Sequence, residues 1–136
     1  EALAIDLGIA DRVEFHGWLD SDDCYAEIDA YVLASYNEAL SMSVLEAMQR
    51  GLPVVATDVG GLREAITHDV TGFVVPPGDV GALAGAMSSL ALDHGLRRSF
   101  GEAGLARARR DFTASAMVDA YVALYRQVAR GPGRSR

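Results

Sequence analysis

A chain of 136 residues, half of them apolar, can hold one domain with its own core and hardly two. Its formal net charge of -7, set against 12 basic residues that are all Arg, argues against a nucleic-acid partner, which needs a basic stripe to neutralise phosphates. Cys24 is the single cysteine, and His16, His68 and His94 stand in separate segments, so neither an intrachain disulfide nor a metal site is expected.

Glu1 to Gly8 reads as the last turns of a helix, with Leu3 and Leu7 on one side and Gly8 as its stop. Arg12 to Gly17 reads as a short strand alternating at Val13 and Phe15. Asp20 or Ser21 can cap a short helix through Tyr25 and Ile28, and Tyr31 to Ala34 follows as an apolar strand. A helix from about Met42 to Arg50 is ended by Gly51. Pro53 to Thr57 is then a strand entered through Pro, which needs no ladder donor at that position. Asp58-Val59-Gly60-Gly61 turns sharply into a short helical piece with Leu62 and Ile66, and Gly72 to Val75 is the last strand, stopped by Pro76-Pro77-Gly78. Asp79 can cap a helix from Val80 to Leu90 that buries Leu83, Met87 and Leu90. Two more helices fit Leu96 to Arg109 and Thr113 to Val128. The cluster Arg107, Arg109 and Arg110 reads as a solvated face near a helix C-terminus, where cations are favoured.

Residues 1–130 thus form one domain, and 131–136, without an apolar anchor, read as a flexible tail. Strands alternate with helices, and Val54-Val55-Ala56 is apolar throughout. That pattern favours a parallel sheet covered on both faces, an α/β, Rossmann-like, partial doubly wound arrangement. The helix-like start at Glu1 suggests that a further part precedes it. No apolar run reaches the roughly 18 residues that a spanning helix needs, and no signal peptide is visible.

The most informative stretch runs from Ser35 to Met48. Glu38 lies just beyond the carboxyl end of a strand, where open α/β sheets place their ligands, and Glu46 lies on the next helix. Between them, free backbone N–H groups at the helix start favour an anion. Two carboxylates beside such amides suit a ligand rich in hydroxyls and phosphate. A plainer reading stands beside it: Ser43-Val44-Leu45-Glu46 has the spacing of a capping box, with Ser43 as N-cap and Glu46 at N3. The paired glycines Gly60 and Gly61 allow close approach to a ligand, or serve a plain turn.

The runs Asn37 to Met48, Gly51 to Gly61 and Gly72 to Asp79 together resemble the GT-B-fold retaining glycosyltransferases of the E-x7-E family (family 4, formerly group 1). The resemblance covers nearly all the chain, from Leu7 to about Tyr125, and it is the C-terminal domain of the family that is matched. Glu38 and Glu46 match the two acids of the motif. The resemblance implies that Glu38 contacts the donor sugar and is the catalytic-site acid, while Glu46 holds the ribose. It implies further that the backbone of Ala39, Leu40, Ser41 and Met42 lines the sugar and diphosphate. Gly17, Trp18 and Leu19 would lie near the base, although Trp18 reads at least as well as a packing residue. No cofactor is implied, because the nucleotide diphosphate sugar is a substrate.

Ala39 stands where Gly is usual, Ala34 replaces a frequent Pro, and Asp69 replaces a common turn Gly. The resemblance also implies elements not found here: two central strands, an Arg and a Lys on the diphosphate, and an N-terminal domain that contacts the acceptor. The expected partners are therefore the nucleotide diphosphate sugar and those absent parts, or a second copy of the chain. The expected location is cytoplasmic, or peripheral to the inner face of the membrane through the absent regions. A sugar-nucleotide epimerase of the same architecture and a non-catalytic nucleotide-sugar-binding module are the competing readings.

Overall fold

A computed structural model describes residues 1–130; the expected tail, 131–136, lies outside the described residues. Three parallel strands form the sheet: β1 (Tyr31–Leu33), β2 (Val54–Thr57) and β3 (Gly72–Val75), in spatial order β1-β2-β3. Tyr31 is level with Val54, and Val54 with Gly72. Helix α1 (Ala2–Asp6) and α2 (Ser21–Ala26) precede the sheet, and α3 (Met42–Gln49) and α4 (Leu62–Ala65) connect its strands. Helices α5 (Val80–Leu92), α6 (His94–Asp111) and α7 (Ala114–Arg130) complete the chain.

The expected doubly wound layering is present. All four residues of β2 are buried, and they alternate between two cores. Val54 and Ala56 join Val44, Met48, Leu62 and Ile66 of the α3–α4 side. Val55 joins Val75, Ala86, Leu90 and Phe100 of the α5–α6 side. A strand with both faces covered must be apolar on both, which is why this run shows no polar alternation.

Small residues set the close approaches. A Cβ on Gly72 would overlap the Val54 carbonyl oxygen of the adjacent strand, and one on Gly101 of α6 would overlap the Gly51 carbonyl oxygen. Helix α3 ends as expected at Gly51, with φ of 74°. The N–H groups of Gly51 and Leu52 donate to the carbonyls of Met48 and Ala47, the two bonds of a Schellman motif. Asp20, Asp79 and Asp93 cap α2, α5 and α6 by accepting from Asp22, Ala82 and Leu96 N–H groups at 2.9–3.0 Å.

Several expectations fail. Residues 13–17 form no strand; they follow a 3-10 turn at Ala10–Arg12, and Phe15 is 56% exposed. A strand needs a neighbour for its backbone groups, and among the described residues none lies beside this segment, so no ladder joins it to β1. Leu3 and Leu7 are exposed, and Ala4 is the buried residue of α1. In α5, Ala86 and Leu90 are buried, whereas Met87 is exposed and Leu83 half-buried. Of the basic cluster, Arg109 and Arg110 are exposed as expected, but Arg107 is half-buried: its guanidinium donates to Thr67 Oγ1 at 2.6 Å and to the Glu64 carbonyl at 2.9 Å, tying α6 to α4. Arg110 instead pairs with both carboxylate oxygens of Asp111.

Candidate functional site

The loop between β1 and α3 carries Glu38, Ala39, Leu40 and Ser41, and α3 itself carries Met42 and Glu46. The first half of the loop is fastened to the end of β2. Buried Thr57 donates from Oγ1 to the Ser35 carbonyl at 2.5 Å, and Ser35 Oγ donates to Glu38 Oε1 at 3.0 Å. Glu38 therefore sits half-buried past the carboxyl end of β1, with its carboxylate held from one side. Nearby, Ala34, Thr57, Pro76 and Leu83 border a hollow of about 170 Å3 at the carboxyl ends of the strands.

The second half of the loop leads into α3, and here the capping-box reading fails. The N-cap is Ser41, and its side chain caps nothing; Ser43 and Glu46 lie inside the helix, so Glu46 is not at N3. The hydroxyls are engaged elsewhere. Tyr31 donates to Ser43 Oγ at 2.7 Å, Ser41 Oγ and Ser43 Oγ are 2.8 Å apart, and Tyr25 donates to the Ser43 carbonyl at 3.0 Å. As a result, among the described residues, the N–H groups of Met42, Ser43 and Val44 have no acceptor in the chain. Three free amides and the positive end of the helix dipole make a seat for an anion.

Glu46, freed from capping, is half-buried on α3 and faces Tyr25 of α2. Burial, the neighbouring Tyr31 and the Glu46 carboxylate push the Tyr25 hydroxyl up from 10.0 to about 12. Arg50 lies 4.7 Å over the Tyr25 ring and pairs with Asp22. The four-residue network of Tyr25, Tyr31, Ser41 and Ser43 was not legible in the sequence, because its members lie on three separate elements.

The paired glycines face the same loop. The Gly61 N–H donates to the Ala39 carbonyl at 2.6 Å, and a Cβ on Gly60 would overlap the Glu38 carbonyl oxygen. Close approach is thus real, but it is to the chain's own backbone. Ala39, Leu40 and Met42 are exposed, and Ser41 is buried. Gly17, Trp18 and Leu19 lie in the irregular segment before α2, with Gly17 at φ 68°. Trp18 is 88% exposed, which excludes the packing role within the described residues. No hydrogen bond among the described residues joins these three to the Glu38–Glu46 segment.

A family model, described as glycosyl transferases group 1, matches residues 1–107. The chain belongs to this family. Group 1 relatives include the lipopolysaccharide core biosynthesis glycosyltransferase LpsE of Rhizobium meliloti, 34% identical over 90% of this chain and 36% of its own length. Another is the D-inositol 3-phosphate glycosyltransferase of Xylanimonas cellulosilytica, 37% identical over 89% of this chain and 30% of its own. The chain therefore spans about a third of the length of these relatives.

Solved structures agree on the fold. The sucrose-phosphate synthase of Thermosynechococcus elongatus superposes with a TM-score of 0.83 at 33% identity, over 96% of this chain and 34% of that one. Anabaena HepE, solved with UDP and glucose, gives 0.84 at 26%, over 93% and 35%. The group 1 departures fit the geometry. Asp69 takes a left-handed φ of 61°, a conformation that Gly adopts freely and Asp tolerates. The methyl group of Ala39 lies on an exposed residue and displaces nothing in the loop.

Proposed function

We propose that the full-length protein containing this chain is a retaining glycosyltransferase. It moves a sugar from a nucleotide diphosphate sugar to an acceptor hydroxyl, and this chain supplies half of the donor site. The observation that carries the reading is the placement of Glu38, past the carboxyl end of β1 and eight residues before Glu46, next to the uncapped start of α3, the helix that carries Glu46. Membership of the group 1 family and the UDP-bound relative HepE support it.

In this reading the free amides of Met42, Ser43 and Val44 receive the diphosphate. They stabilise the charge that grows on it as the glycosidic bond breaks and an oxocarbenium-like sugar forms. Glu38 accepts from sugar hydroxyls and Glu46 from the ribose. Neither is assigned as a nucleophile. The work is positioning and charge stabilisation, without a metal. The acceptor is bound by parts of the protein outside this chain, and the compartment is the cytoplasm, where reducing conditions suit the unpaired Cys24.

The test is to incubate the full-length protein with a panel of α-linked nucleotide diphosphate sugars and hydroxyl acceptors. Nucleoside diphosphate release is followed together with the anomeric proton coupling of the product. Release accompanied by an α-linked product is expected. Release with a β-linked product, conversion of the donor sugar to its epimer, or no release from any donor would each overturn the proposal.

A further inference from the structure

Gly60 and Gly61, in the turn that follows β2, pack against the backbone of Glu38 and Ala39. Gly60, at φ 54°, is so close to the loop that a Cβ there would overlap the Glu38 carbonyl oxygen and lie 2.8 Å from that of Ala39. Gly61, at φ −88° and ψ 11°, has a conformation open to any residue, yet its Cβ would come within 3.0 Å of the Ala39 oxygen. The Gly61 N–H already holds that oxygen at 2.6 Å. Across a trans peptide, C=O and N–H point in opposite directions, and the chain has no cis peptide. With the Ala39 carbonyl drawn to Gly61, the Leu40 N–H points away from the turn, ahead of the free amides of α3.

We infer that Gly60 and Gly61 are positioning residues: together they press the Glu38 backbone into place and fix the Leu40 amide toward the donor sugar. The inference rests on the proposed donor site. The two glycines act differently. Gly60 leaves room for the Glu38 carbonyl, and Gly61 orients the Ala39–Leu40 peptide by a hydrogen bond. Both sit at the start of α4, which Arg107 of α6 ties down through Glu64 and Thr67, so the turn is backed by a fixed element.

Gly51 supplies the control that separates positioning from backbone strain. Its φ is 74°, so Ala there meets the same left-handed penalty, but its Cβ would have no neighbour nearer than 3.9 Å. In the full-length protein, Gly60→Ala, Gly61→Ala and Gly51→Ala are compared by melting temperature, nucleoside diphosphate affinity and transfer kcat. Wild-type turnover is measured first, and its absence would defeat the functional reading and this inference with it.

Given turnover, Gly60→Ala should melt below Gly51→Ala, because its Cβ must displace the Glu38 carbonyl, and it alone should lose about 100-fold in kcat, the scale of a misplaced reacting group. Gly61→Ala, which carries no backbone strain, should melt like the wild type and lose about 10-fold in kcat, with nucleoside diphosphate affinity held within about 3-fold. If Gly60→Ala fails to fold, Gly61→Ala decides alone. Wild-type kcat in Gly61→Ala, or losses in Gly60→Ala no larger than those in Gly51→Ala, would show that the glycines serve only the turn.

Discussion

Tyr25 and Glu46 share one local environment, and each reports on the other. The Tyr25 hydroxyl is raised from 10.0 to about 12 by burial, then by Tyr31 and by the Glu46 carboxylate. The neutral form is thus favoured in the folded chain. Its contribution to stability is complete below about pH 10 and is lost as pH rises through about 12. Among the five tyrosines, one should form tyrosinate late, and its ultraviolet absorbance step should vanish in Tyr25→Phe. Glu46→Gln removes one of the charges that raise Tyr25, so that step should move toward 10.0. Because Glu46 caps nothing and Gln is a good helix former, the melting temperature should stay close to wild type. Nucleoside diphosphate affinity in the full-length protein should nonetheless fall by roughly 10- to 100-fold, the weight of a hydrogen bond to a charged group. Calorimetric titration alongside a melting curve checks both; unchanged affinity would remove Glu46 from the site.

At the scale of elements, the caps divide into those whose side chain accepts from the helix and one whose side chain does not. Asp79→Ala and Asp93→Ala each remove a side chain that accepts from its helix, and each should cost about 0.5–2 kcal/mol by denaturant unfolding. Ser41→Ala removes no cap bond from α3; what it removes is the 2.8 Å contact of Ser41 Oγ with Ser43 Oγ. The sequence made Asp79 legible because a polar cap followed by an apolar run has a local cause. The start of α3 near Met42 was legible as well, but the capping-box reading was not realised: Ser43 and Glu46 have that spacing, yet tertiary partners Tyr25 and Tyr31 claim Ser43. Strands β1 to β3 were legible as unbroken apolar runs, the pattern that burial on both faces demands at β2. The run at Val13 and Phe15 has the alternation of a strand without a neighbour to ladder with, and no pattern within five residues can report that. Arg107 belongs to the same class, since its partners Glu64 and Thr67 lie about forty residues away.

For the whole molecule, the loop that leaves β1 is tied to the end of β2, where Thr57, Ser35 and Glu38 are linked in series ahead of α3. The fold of the chain was largely readable; the donor loop was readable only in its acids, because its geometry depends on Gly60, Gly61 and the tyrosines from other elements. At the opposite extreme, β1 is an edge whose residues are only half-buried, and α7 leaves Met117, Tyr121 and Tyr125 exposed. The central claim is that this chain holds the donor through the Glu38-to-Glu46 segment. The most direct measurement is a crystal structure of the full-length protein with a non-transferable nucleotide diphosphate sugar analogue. The diphosphate is expected on the amides of Met42 to Val44, a sugar hydroxyl on Glu38 and the ribose on Glu46. An analogue seated away from this segment, with the start of α3 left empty, would contradict that claim.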